Sequence, residues 1–102
     1  MFHYTDKDGY NAIASQPVWL FLAGQPPGDH PFGAYFTPLT PSTRNLSKKL
    51  GIPRRKLAWA FEFVDIGDLI PLPGGRGEHS LYSPDIYRVE PSRQIDHGAT
   101  GL

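Results

Sequence analysis

The sequence predicts a single α+β domain spanning residues 1–102, with a mixed or antiparallel sheet bent around a cleft and two short helices on it. Three observations point there. Strand-like runs follow one another at spacings too irregular for a wound parallel βαβ fold. Two segments carry helix punctuation. Eleven glycines and eleven prolines assign much of the chain to turns and loops.

The elements follow in order. "MFHYT" opens with strand-forming residues. Thr5 then reads as an N-cap, with Asp6 and Asp8 in a first turn where the helix dipole favours negative charge. Ala12, Ile13 and Ala14 continue that helix and Pro17 ends it. "VWLFLAG" is an apolar run bounded by Pro17 and Gly24, hence a buried strand. "QPPGDHPFG" is a loop long enough to act as a flap over a cleft. "GAYFT" is a short strand closed by Pro38. A second helix is expected from an N-cap at Thr40 and Pro41, with Leu46 and Leu50 on one face, Lys48 and Lys49 in its last turn, then Gly51 and Pro53. In "KLAWAFEFVDIGDLIPL", Leu57, Trp59, Phe61 and Phe63 alternate with Ala58, Ala60, Glu62 and Val64, the pattern of the longest strand. "PGGRGEH" reads as a turn and "DIYRV" as a final strand. The tail from Ser92 has little apolar content and is expected to be loose or packed late.

Composition excludes several classes. There is no cysteine, so no disulfide framework and no thiolate metal site. No apolar run reaches the ~18 residues of a membrane span, and no basic-then-apolar leader marks a signal peptide. Net charge is zero, against a general nucleic-acid binder. The charges are unevenly placed, however. Arg44, Lys48, Lys49, Arg54, Arg55 and Lys56 fall together, and no acid lies between Asp29 and Glu62. That is a local positive face, either a solvated surface or one that receives phosphate.

Common catalytic motifs fail. "GGRG" lacks the Gly-Lys-Ser/Thr ending of a phosphate loop. His3, His30, His79 and His97 show no i,i+4 pair and no cysteine partners, so no zinc site is expected. No serine sits in a G-x-S-x-G elbow.

What does not fail is a set of polar-aromatic clusters: "FHYTD", "FGAYFTPL" and "YSPDIY". Taken singly, His3, Tyr35 and Asp85 read as a satisfied strand histidine, a core aromatic and a turn acid. Taken together, the set resembles a family of ADP-ribosyltransferases named for its histidine, tyrosine and aspartate signature. The matching residues are His3, Tyr35 and Asp85, with Glu90 and Glu62 as rival carboxylates. A "HYTD…GYNAI" opening, a "PPGDHPFGAYFT" segment and a "GRG…YSPDIYRVE" close extend the similarity over nearly the whole chain. The resemblance implies a small ADP-ribosyltransferase-like fold, a bent, split sheet around an NAD cleft. It also implies a toxin effector at the C-terminal end of a larger bacterial polymorphic (Rhs-type) delivery polypeptide. Such a domain is released from a secreted carrier, acts in the cytoplasm of a target cell and is blocked by a cognate immunity protein.

The chemistry asks for the same residue types. Cleaving the nicotinamide–ribose bond of NAD builds positive charge on the ribose, as in glycoside cleavage. A carboxylate such as Asp85 stabilises that charge. A tyrosine face such as Tyr35 stacks on the cationic nicotinamide, worth roughly 0.5–2 kcal/mol. A histidine such as His3 bonds ribose hydroxyls without needing a fixed charge. Gly33 opens the Tyr35 segment. Arg44 and the Thr40–Ser42 helix start would receive the pyrophosphate, with Thr5 and the first helix as a competing cradle. NAD is thus the expected co-substrate, with no metal and no membrane. The expected acceptor is a macromolecule, protein or RNA, in the translation machinery: an elongation factor or ribosomal RNA. No Q/E-x-E motif supports an arginine acceptor. The alternatives are an NAD glycohydrolase, with water as acceptor, and a noncatalytic module that binds peptide or sugar through exposed aromatics.

Overall fold

The computed structural model describes residues 1–25, 31–72 and 79–102. In chain order the elements are β1 (Phe2–Thr5), α1 (Lys7–Ala14), β2 (Trp19–Phe21), β3 (Ala34–Phe36), α2 (Leu46–Leu50), β4 (Trp59–Phe63), β5 (Ile70–Pro71), β6 (Leu81–Ser83), β7 (Tyr87–Val89) and β8 (Gln94–Ala99). Short 3-10 turns cover Arg54–Leu57 and Pro91–Arg93. Among the described residues the strands form three antiparallel sheets, ordered β1–β4–β8, β2–β7 and β3–β6–β5. The α+β class with two helices is as the sequence predicts; in place of the one bent sheet expected, mixed or antiparallel, there are three small sheets, all antiparallel.

In β4 the expected alternation of burial holds from Phe61 to Phe63, whereas Trp59 is half-buried and Ala60 is buried. Phe61 and Phe63 are completely buried, while Glu62 between them is half-exposed. The core they enter is shared by all three sheets: β2 supplies Trp19 and Phe21, β3 supplies Ala34 and Phe36, and β7 supplies Tyr87 and Val89. Its rings meet edge-on. Phe21 lies 5.3 Å from Phe36 and 5.6 Å from Phe61, and Phe36 lies 5.5 Å from Phe63, all with planes near perpendicular.

The first helix begins one residue later than expected. Thr5 stays in β1, paired with Trp59, and the cap is Asp6, whose Oδ1 accepts from Gly9 N at 2.9 Å. Gly9 N–H, and then Lys56, whose Nζ is 2.9 Å from Oδ2, hold the Asp6 carboxyl below its ordinary range. The second helix is shorter than expected and starts at Leu46. Thr40 Oγ1 and Ser42 Oγ bond each other at 2.8 Å, and Thr43 N donates back to Thr40 O at 3.0 Å, so that stretch is a turn. Asn45 then adopts a left-handed conformation (φ 59°), which blocks any helical path from Pro41. Gly51 (φ 68°) ends α2 as expected.

The tail is the largest correction. Instead of lying loose, β8 pairs along the whole of β4, from Trp59↔Ala99 to Phe63↔Gln94. Main-chain bonds satisfy an otherwise open edge of β4 and need no apolar side chains to do so. Thr100 extends the seam, donating from N to Ala58 O at 2.9 Å and from Oγ1 to Leu57 O at 2.6 Å. Strands β5 and β6 were also unforeseen; the intervening "PGGRGEH" turn lies mostly outside the described residues, as does the middle of the "QPPGDHPFG" loop. No helix among the described residues is long and apolar enough to cross a membrane.

Phe61 is wholly buried in this core, so its truncation should be costly. Phe61→Ala should lower the unfolding free energy by about 3–5 kcal/mol in urea titration, whereas Glu62→Ala next door should stay within ~0.5 kcal/mol of the parent.

Candidate functional site

His3 and Tyr35 meet through the junction of β1 and β3. Phe2 and Thr37 exchange two main-chain bonds, N to O at 2.8 Å and 2.9 Å. That bridge sets His3 beside β3, where its Nδ1 lies 2.8 Å from Tyr35 O. A carbonyl only accepts, so Nδ1 carries the proton and donates, leaving Nε2 as an acceptor in the neutral ring. The imidazole packs 4.7 Å from the Phe21 ring and 5.5 Å from that of Phe36. Burial among these rings pulls its pKa down to about 4, and the bond to the Tyr35 carbonyl only partly opposes this. His3 is therefore neutral at physiological pH.

Tyr35 meets His3 through its main chain, while its ring faces the other way. Ala34 and Phe36 enter the core and Tyr35, between them, points outward. Its ring stacks on Tyr82, directly opposite on β6, at 5.9 Å and 22°. Its hydroxyl donates to Pro31 O. Burial, and then Tyr82, raise its pKa above the ordinary phenol value. Tyr82 was missed by sequence reasoning; its signal was the alternation in "LYS", hidden because that strand was not foreseen. Phe36 belongs to the core, but Tyr4 does not. Opposite Ala60 in register, it lies on the outer face of the β1–β4–β8 sheet, stacked 6.0 Å from Phe2 and donating to Leu39 O at 2.7 Å. The reason is that His3, opposite Phe61, takes the core-facing slot and alternation turns its neighbour out.

Gly33 is buried between two neighbours. It exchanges main-chain bonds of 2.9 Å and 3.0 Å with Gly24 in an antiparallel bridge. On its other side a Cβ would stand 2.6 Å from Ser83 O and 3.0 Å from the Tyr82 ring. The glycine is thus required by the close approach of β6.

Among the described residues no hydrogen bond links His3 to Asp85, Glu90 or Glu62; its bond goes to Tyr35 O. Asp85 is exposed in the Ser-Pro turn rather than at the start of a strand, since β7 begins only at Tyr87. Its Oδ1 accepts from Ile86 N at 2.8 Å, and its carbonyl accepts from Ser83 Oγ at 2.9 Å. Because Ser83 pairs with Ala34, the turn lies beyond the Gly33 end of β3, on the sheet that carries Tyr35. Glu90 is exposed, 3.5 Å from Arg88 Nη2. Glu62 lies opposite Phe2, on the face of β4 turned away from Phe61. Neither anion cradle takes its expected form. Thr5 is buried, and its Oγ1 sits where a Cβ on Gly9 would come within 2.1 Å, while the Asp6 carboxylate already occupies the first turn of α1. Arg44 is exposed in the turn before α2, outside the helix.

Two cavities bear on the candidate site. One, of about 190 Å³, lies on the outer face of the β1–β4–β8 sheet beside Phe2, Glu62 and Asp96. The other, of about 480 Å³, is lined by Lys48, Arg54 and Leu102 among others. Neither is lined by His3, Tyr35 or Asp85. Comparison with protein-family models, with curated proteins and with solved structures finds no match to this chain.

Two measurements check this geometry. The folded state disfavours protonation of His3, so its contribution to stability is fully present above the unfolded pKa of 6.5 and is lost as pH falls towards about 4. Stability should rise with pH across that window by up to about 3 kcal/mol, and His3→Asn, which keeps a donor near the Nδ1 position, should remove that rise. Gly33→Ala should destabilise by about 1–3 kcal/mol through overpacking against β6, read as a lower urea midpoint, while Gly24→Ala, with open space at its Cβ, should cost less.

Proposed function

We propose that this chain is an NAD-dependent mono-ADP-ribosyltransferase toxin domain, its sheets forming an ADP-ribosyltransferase-like fold around an NAD cleft. The observation that carries the reading is the 2.8 Å bond from His3 Nδ1 to the Tyr35 carbonyl. It brings two signature residues, 32 positions apart in sequence, to one strand junction. The state of His3 suits the substrate: a neutral imidazole does not repel the cationic nicotinamide or the developing ribose cation, and Nε2 is left to accept from a ribose hydroxyl. The stacked Tyr35 and Tyr82 rings offer an aromatic surface for the nicotinamide.

In this mechanism the bond between the ribose anomeric carbon and the nicotinamide nitrogen breaks, and both electrons leave with nicotinamide as a neutral pyridine. The ribose cation is captured by an oxygen or nitrogen of the acceptor, which gives up a proton. Asp85 is assigned to stabilise the cation. The acceptor is a macromolecule of the translation machinery, protein or RNA. Delivery on a secreted carrier into a target cell, and inhibition by an immunity protein, complete the proposal.

The test is to add labelled NAD to a cell extract with the purified chain and identify which macromolecule gains the label. Asp85→Asn keeps an acceptor for Ile86 N–H but removes the charge; it should remain folded and lose labelling by about 10²–10³-fold, while Glu62→Gln and Glu90→Gln remain active. Loss in Glu90→Gln alone would move the acid to that residue. Rapid NAD breakdown without any acceptor would identify a glycohydrolase, and no NAD consumption under any condition would leave a noncatalytic binding module.

A further inference from the structure

We infer that the surface built by residues 43–56 binds nucleic acid through its phosphate backbone. This stretch folds as a turn, α2 and a 3-10 turn, pinned to the body of the protein by the buried side chains of Leu46 and Leu57. With its two leucines turned inward, its cations stay outside. Arg44, Lys48, Lys49, Arg54 and Arg55 are all exposed. Among the described residues only Lys56 of this group has an ion-pair partner, Asp6 at 2.9 Å. Arg55 adds a weaker attraction to the same carboxylate. Net charge is zero over the whole chain, yet this stretch holds six cations and no acid, so the neutrality is global and the field here is positive.

The cations also frame a recess. The 480 Å³ cavity is lined by Lys48 and Arg54, with Thr43, Asn45 and Ser47 adding polar groups and Leu46, Leu57 and Leu102 its apolar part. Two convergent cations beside hydrogen-bonding groups suit a phosphate oxygen cluster. The spread of the other cations over three short elements exceeds what one small anion would engage and matches a repeating polyanion. An anionic membrane fits less well. Leu102 apart, the large exposed apolar residues, such as Leu22, Phe32 and Ile86, belong to other segments, so this face has little to insert into lipid. There is no aromatic residue between Thr43 and Lys56, hence no platform for stacking unpaired bases. The chemistry therefore favours a duplex, held by its phosphates without base readout.

Fluorescence anisotropy with a labelled duplex RNA longer than the ~16 base pairs spanned by one double-strand-binding module tests this. No NAD is present, so the result is independent of the transferase reading. The parent chain should bind, with affinity falling steeply between about 50 and 200 mM salt. The double variant Lys48→Gln/Arg54→Gln, altering only exposed side chains, should bind at least ~10-fold more weakly, with a salt slope shallower by about 2. Arg88→Gln, on β7 in another sheet, should change affinity by less than ~2-fold. The inference is overturned by absence of binding at the lowest salt, or by an equal loss in Arg88→Gln, which would report net charge alone. It is likewise overturned if phosphatidylserine vesicles, and not the duplex, bind in a way that depends on Lys48 and Arg54.

Discussion

A single aromatic core holds together three sheets that could not stand separately. The sheets contain two or three strands each, and five of the eight strands are three residues long or shorter. Such small sheets are marginal in water and need a common apolar partner. Phe21, Phe36, Phe61 and Phe63 come from three strands in three different sheets, and each ring is almost wholly shielded by the others and by their neighbours. Removing apolar area from water therefore stabilises the arrangement of the sheets as well as the sheets themselves.

His3 is drawn into that same arrangement, and this is what gives the candidate site its character. The rings of Phe21 and Phe36 that complete the core also desolvate the imidazole. One side of the imidazole is bound to Tyr35 O; the other is left with acceptor chemistry. The Tyr35 ring lies on the far side of its strand against Tyr82, so His3 and Tyr35 are joined through the backbone of β3.

Charge is separated on the molecule in a way that net neutrality conceals. Glu62 and Asp96 pair across β4 and β8 on the outer face of one sheet, while the cations gather on the segment that precedes β4. The Lys56–Asp6 bridge links that basic segment to the start of α1. Both side chains of the bridge are substantially exposed, so it serves more as a positional link than as a source of stability.

Features governed by local chemistry were legible along the chain. Period-two alternation identified β4 and its buried face, "GAYFT" identified β3, and Gly51 marked the end of α2, because pleat geometry and left-handed caps act over a few residues. The order and spacing of "FHYTD" and "FGAYFTPL" marked His3 and Tyr35, though not how they would meet. Tertiary structure decided the rest. It turned a polar tail into β8, because an open edge of β4 offers main-chain bonds indifferent to side-chain hydropathy. It turned Tyr4 outward and His3 inward, because register against Phe61 chooses the face of a strand and no local pattern does. It also left Asp85 in an exposed turn, since the position of a carboxylate relative to a histidine 82 residues away depends on contacts between strands that the linear order does not contain.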